Sequence, residues 1–129
     1  MMESSWNSET AEPANPHDNR GKRNYVGTKN NYTTNDINAL IAWGNEQCTY
    51  LVFGREVAQT GTPHLQIYME FKEAKTMKTI VKKLFPLWLG YRKGSPIQAA
   101  GYCKKGCDGV KPYDRYFRRS LAEPENWVL

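Results

Sequence analysis

The residues able to do chemistry gather in two short stretches. The first is Thr62-Pro63-His64-Leu65-Gln66, which opens a run, His64–Lys72, that alternates strictly in polarity. Leu65, Ile67, Met69 and Phe71 must seek a core, which sends His64, Gln66, Tyr68 and Glu70 to the other face of a strand and makes His64 and Gln66 neighbours there. Thr49–Glu56 reads as a preceding strand, and Val57–Pro63, with Gly61 inside it, has the length of a hairpin loop. Glu56 then ends its strand across the ladder from His64. An imidazole, a carboxylate and an amide oxygen suit a divalent ion such as Mg²⁺ or Mn²⁺, which keeps positions open for water and phosphate. An exposed His and Gln on an ordinary sheet face fit the same spacing, and the spacing alone leaves both readings open.

The second stretch is Ala99-Ala100-Gly101-Tyr102-Cys103-Lys104-Lys105. On a helix, residues three apart share a face, so Tyr102 meets Lys105 while the small residues before it leave the phenol uncovered. A nearby ammonium favours phenolate and can return a proton, which is the help a tyrosine nucleophile needs. A purely structural tyrosine is the competing reading. Cys103 reads as a small buried residue, because His17 belongs to a polar N-terminal stretch and no other histidine stands beside the thiol. A cysteine hydrolase is therefore excluded.

The elements that must position these residues follow from periodicity. Asn24–Lys29 predicts a strand closed by the Asn30-Asn31 turn. Thr34 or Asn35 caps a helix over residues 35–46 with Ile37, Leu40 and Ile41 on one face. Thr76–Phe85 predicts a second helix, stopped by Pro86. Leu87–Tyr91 predicts a strand, Ser95-Pro96 starts a third helix over residues 96–105, and Tyr113–Arg118 predicts a last strand. The order β-α-β-β-α-β-α-β predicts an α+β fold, a ferredoxin- or RRM-like antiparallel sheet of about five strands with helices packed on one face.

Composition bounds the rest. The 129 residues carry 18 Lys+Arg against 13 Asp+Glu, a net +5, and 40% apolar residues suffice for one modest core. A mean hydropathy of −0.73, with no apolar run of spanning length, excludes the transmembrane class, and no membrane partner is expected. Residues 1–22, rich in Ser, Asn, Glu and Pro, predict a disordered tail without the features of an export signal. A folded domain is expected over residues 23–119 and an extension over 120–129. Three cysteines, an odd number, fit a reducing interior, and their spacing matches no zinc ribbon. Residues 72–119 hold thirteen bases against Glu73, Asp108 and Asp114, which predicts a basic surface able to attract polyphosphate.

Three segments in order, Tyr25-Val26-Gly27-Thr28-Lys29-Asn30-Asn31, Thr62-Pro63-His64-Leu65-Gln66 and Tyr102-Cys103-Lys104-Lys105, resemble the three motifs of the replication-initiator (Rep) proteins of circular single-stranded-DNA viruses of eukaryotes. The likeness is to the circovirus-like group of the HUH endonucleases, over about residues 23–119. It implies a metal-dependent nickase and strand transferase that starts rolling-circle replication. Glu56, His64 and Gln66 would hold Mn²⁺ or Mg²⁺, Gln66 standing where the eponymous motif has its second histidine. Tyr102 would be the nucleophile, leaving a 5′-phosphotyrosyl link and a free 3′-OH, with Lys105 assisting. Lys29, Asn30, Asn31, Tyr32, Arg92 and Lys93 would contact the DNA, the single-stranded origin of a viral genome.

The resemblance further implies location in the host cell nucleus. It also implies a nuclease domain that is monomeric alone and oligomeric within a longer protein bearing a helicase. No G-x-x-x-x-G-K-[ST] stretch occurs in this chain, so no ATP binding at a P-loop is expected from it. The first motif departs from the family pattern at Gly27 and Lys29. Glycine within a strand marks either close approach of another backbone or a loosened edge strand. The competing function is a non-catalytic RRM-like module that stacks single-stranded nucleic acid on exposed aromatics such as Tyr68.

Overall fold

The computed structural model describes residues 6–106 and 109–123. Residues 1–5 of the expected tail, residues 124–129 of the expected extension, and Cys107 and Asp108 fall outside the described residues. The elements run β1 (Ala11–Pro13), β2 (Lys22–Asn30), α1 (Thr34–Gln47), β3 (Cys48–Val57), β4 (Pro63–Lys75), α2 (Met77–Lys83), β5 (Trp88–Arg92), α3 (Pro96–Lys104) and β6 (Tyr113–Tyr116). They build one antiparallel sheet of six strands in the order β1-β5-β2-β4-β3-β6. The inner four strands, with α1 and α2 as crossovers, make the two interleaved βαβ units of a ferredoxin-like sheet.

Local signals account for the helices. Thr33 caps α1, its Oγ1 accepting from Asp36 N at 3.1 Å while Thr33 N donates to Asp36 Oδ2 at 3.0 Å. The cap thus falls one residue earlier than expected, because Asp36 can close the box only on Thr33. Ser95 and Gln98 form the same reciprocal box on α3, with Pro96 in its first turn. Thr76 caps α2 by accepting from Thr79 N at 3.2 Å.

Both faces of the sheet are covered. Leu40 of α1 and Ile80 of α2 join Tyr25, Leu51, Leu65, Ile67, Met69, Phe71 and Leu89 in the first core. On the opposite face α3 sets Ala99, Ala100 and Cys103 against Val26, Tyr50, Val52 and Tyr68, joined by Trp6, Ala11 and Ala122. The expectation of helices on one face therefore holds for α1 and α2 and fails for α3. The alternating polar letters of β4 read as a solvent face, yet His64, Gln66, Tyr68 and Glu70 are all buried.

The expected disorder of residues 1–22 does not describe residues 6–22. Strand β1 pairs with β5, Trp6 is 7% exposed, and Trp6 Nε1 donates to Gly27 O at 3.1 Å. Nor is β2 an edge strand. Gly27 sits at the centre of the sheet, where a Cβ would press on Leu87 Cδ1 at 3.0 Å and Trp88 O at 3.2 Å, so the glycine suits the close packing of β5.

Candidate active site

The site is built from two rows that cross the strands. In one, Asn30 of β2, His64 of β4 and Glu56 of β3 stand opposite one another; in the next, Thr28, Gln66 and Gly54 do so. The period of two along each strand puts both rows on the face that carries α3. His64 Nε2 approaches Glu56 Oε1 at 3.9 Å, and His64 Nδ1 is 3.3 Å from Thr62 O. Thr28 Oγ1 donates to Gln66 Oε1 at 3.0 Å. Glu56 Oε2 and Gln66 Nε2 are buried without a hydrogen-bond partner. The ordinary exposed sheet face is thus excluded: the His and the Gln are 4% and 0% exposed.

The two orphaned atoms fit a divalent ion. A buried carboxylate oxygen without a donor is costly unless a cation faces it. Rotating the Gln66 amide by half a turn would let Nε2 donate to Thr28 Oγ1 and free Oε1 as a ligand, since the two ends of an amide are assigned from their partners. An acidic oxygen, an imidazole nitrogen and an amide oxygen then form a mixed set suited to Mn²⁺ or Mg²⁺. Among the described residues no group of three His, Cys, Asp or Glu gathers, so the amide is needed to complete the set.

Gly54 explains how α3 reaches this place. A Cβ on Gly54 would collide with the carbonyl oxygen of Cys103, so the last turn of α3 rests directly on the strand between Glu56 and Val52. Cys103 is fully buried by that contact, and burial pushes its thiol well above the ordinary range, with Glu56 the next cause. Tyr102, the preceding residue, is half-buried. Its ring stacks on Trp6 with centroids 4.8 Å apart and planes at 20°, and Lys105 Nζ lies 3.8 Å from its centroid. The sequence spacing brought Tyr102 and Lys105 together as expected, although the ammonium covers the ring. Trp6 and Gly54 were missed. The only signal for Trp6 was one large apolar residue in a polar stretch.

The remaining expected contacts are dispersed. Asn30 stands beside His64, and exposed Asn31, just after β2, has φ 54°, a left-handed conformation asparagine tolerates. Tyr32 packs against the first core and Lys29 Nζ lies 5.6 Å from the Phe85 ring centroid, both away from the site. Arg92 donates to Tyr68 Oη at 2.8 Å and to Gly94 O at 3.0 Å, whereas exposed Lys93 donates to Ser8 O at 2.9 Å. The basic segment is not one surface. Lys78, Lys82 and Lys83 ride on α2, across the sheet from Lys104 and Lys105 on the α3 side. Tyr68, the expected stacking platform, is 0% exposed, which removes the feature on which the RRM-like alternative relied.

A ferredoxin-like sheet with a His-Gln-carboxylate cluster under a tyrosine-bearing helix defines the class. A family described as "Putative viral replication protein" matches residues 22–106, and the chain belongs to that family. It is 34% identical over 90 residues to the replication-associated protein of Beak and feather disease virus, covering 70% of this chain and 31% of that protein. Its identity to the replication-associated protein of Pigeon circovirus is 35% over 92 residues, 70% of this chain and 28% of the relative. The chain thus spans about a third or less of the length of these relatives. None of its helices among the described residues is long and apolar enough to cross a membrane.

Proposed function

We propose that this chain is a metal-dependent, sequence-specific nicking and joining domain for single-stranded DNA at a viral replication origin, acting through a covalent 5′-phosphotyrosine. The observation that carries the reading is the coincidence of Glu56, His64 and Gln66 in adjacent cross-strand rows, with the Cys103 carbonyl seated on Gly54 between them and Tyr102 next in the chain. Glu56, His64 and Gln66 would hold Mn²⁺ or Mg²⁺, which would supply Lewis-acid polarisation of the scissile phosphate and neutralise charge on its oxygens.

The chain's own residues do the rest. The Tyr102 oxygen attacks phosphorus, the Tyr O–P bond forms, and the P–O3′ bond breaks. The phenol loses its proton and the departing 3′-oxygen gains one, with Lys105 near enough to stabilise the charge in between. Joining is the reverse: a 3′-OH attacks the phosphotyrosine, and Tyr102 leaves as the phenol. A single tyrosine therefore suffices for both. Exposed Lys93, Lys105 and Asn31 provide phosphate and sugar contacts. By its resemblance to viral replication initiators, the domain would act in the nucleus of a host cell, monomeric alone and oligomeric when joined to a helicase.

The test is incubation of the chain with labelled single-stranded oligonucleotides of varied sequence and Mn²⁺, followed by a denaturing gel and peptide mapping. A covalent adduct on Tyr102 is expected, absent from Tyr102→Phe and from His64→Ala, and slower by about 10²-fold or more in Lys105→Ala. An adduct on Tyr91, Tyr113 or Tyr116, or full nicking by His64→Ala in chelator, would overturn the assignment.

A further inference from the structure

We propose that Trp6 is a positioning residue for the Tyr102 phenol: the N-terminal segment is a strap whose indole, fixed to the central strand, holds the tyrosine ring in its attacking orientation. The proposal rests on the reading of Tyr102 as nucleophile and adds to it a residue outside the span 22–106 that the family matches.

Tyr102 lies in the last turn of a nine-residue helix, preceded by Ala99, Ala100 and Gly101, and a Cβ on Gly101 would touch nothing within 4 Å. The small residues before Tyr102 bring no bulky side chain to its ring, and Lys105, exposed on a flexible stem, restrains the ring less than a buried side chain does. Trp6 is the opposite case, 7% exposed and packed into the second core. An indole stacked with its centroid 4.8 Å away and an ammonium 3.8 Å from the ring centroid both bear on the phenol, and of the two the buried indole is the rigid one. Stacking of this kind adds directional preference to simple burial.

The indole is held independently of α3. Its Nε1 donates to Gly27 O at 3.1 Å on β2. The segment behind it is secured by the pairing of β1 with β5, by Lys93 N donating to Thr10 O at 2.8 Å, and by Lys93 Nζ donating to Ser8 O. The next residue along β2, Thr28, holds the Gln66 amide. One dipeptide, Gly27-Thr28, thus anchors on the same face of the sheet both the indole beside Tyr102 and the Gln66 amide. Orientation of this kind acts on the chemical step, because a misdirected attacking atom loses rate without losing affinity.

The test compares wild type with Trp6→Phe, Trp6→Leu and Tyr102→Phe. In aromatic carbon–proton spectra the ring signals that vanish in Tyr102→Phe should lie upfield in the wild type, from the indole ring current, and return to ordinary positions in Trp6→Leu. With Mn²⁺ and the most reactive oligonucleotide of the varied set, single-turnover adduct formation at saturating DNA should fall about tenfold or more in Trp6→Leu and by no more than about twofold in Trp6→Phe, with half-saturation unchanged within about twofold. Should Trp6→Leu fail to fold, Trp6→Met takes its place. Unshifted Tyr102 signals in the wild type, or an unchanged or increased saturating rate in Trp6→Leu, would overturn the proposal. An adduct surviving in Tyr102→Phe would instead overturn the nucleophile, while the spectra still report the stack.

Discussion

Thr28 holds Gln66 through a buried hydrogen bond of 3.0 Å between its Oγ1 and the amide oxygen, and this bond is what leaves the amide nitrogen without a partner. On the proposed function, an ion held here would reverse the arrangement, Nε2 donating to Thr28 and Oε1 turned to the ion. Thr28 would then orient a ligand without touching the ion. Thr28→Val keeps shape and strand propensity but removes the acceptor. Mn²⁺ affinity, followed by calorimetry or by the rise of the melting temperature with added Mn²⁺, should drop by about 10–100-fold. An unchanged affinity would separate Thr28 from the ligand set.

Gly54 is the point at which the strand admits α3, since any Cβ there meets the Cys103 carbonyl. Gly54→Ala must push the last turn of the helix outward and carry Tyr102 away from His64 and Glu56. The rate of adduct formation should fall by about 10²-fold, with weaker effects on DNA retention, because only the reacting geometry depends on the last ångström. A gel-based single-turnover assay beside a filter-binding isotherm separates the two effects.

The elements of the site were legible in the sequence because their signals are local. Alternation along His64–Phe71, the Ser95-Pro96 start and the hairpin length each specify a conformation within a few residues, and the structure brings Glu56, His64 and Gln66 together as that spacing implied. What covers the site was not legible. The second core is made of small or polar letters, Ala99, Ala100, Cys103, Tyr68 and Gln66, joined by Trp6 and Ala122 from distant, polar stretches. Burial there is set by long-range pairing of β1 with β5 and by a carboxylate, Glu70, that composition would place in solvent. The bases of residues 72–119 read as one surface for the same reason: neighbours in sequence, Lys83 and Lys93 for example, belong to elements on different faces or edges of the sheet.

Glu70 and Arg92 share a buried network that Lys93 does not enter. Tyr68 Oη accepts from Arg92 and donates to Glu70 Oε2 at 2.5 Å, while Glu70 Oε1 accepts from Leu121 N at 2.6 Å and from Ser120 Oγ. Burial and the adjacent carboxylate both push the Tyr68 phenol far above its ordinary pKa, so it remains a donor. Glu70→Gln turns an acceptor into a donor facing donors and should cost about 1–3 kcal/mol, with faster amide exchange at Leu121 and Ala122. Arg92→Ala should likewise lower stability. Lys93→Ala should instead leave the melting temperature nearly unchanged and flatten the salt dependence of single-strand binding by about 0.7 in log K against log salt. An unchanged slope would take Lys93 out of the path of the strand.

Cys48 and Tyr25 make the fold sensitive to alkali. Burial, the leading cause for each, pushes both the Cys48 thiol and the Tyr25 phenol up to about 12, and Tyr25 Oη also donates to Lys75 O at 2.7 Å. In the unfolded chain a thiol ionises near pH 8.5 and a phenol near pH 10, roughly, so above these values the unfolded state binds fewer protons than the folded one. Stability is therefore undiminished by these groups below about pH 8.5 and falls as pH rises from there toward about 12. Urea midpoints should decrease from neutral to alkaline pH in that window, and Cys48→Ala together with Tyr25→Phe should lessen the decrease without abolishing it, because the buried Cys103, Tyr50 and Tyr68 are also held neutral. The same burial keeps the thiolate fraction of Cys48 negligible near neutrality, so a thiol reagent should label Cys48 and Cys103 only at the rate at which the protein unfolds. Labelling of either residue much faster than unfolding, read by peptide mapping against a stopped-flow unfolding rate, would mean that the core around it opens locally.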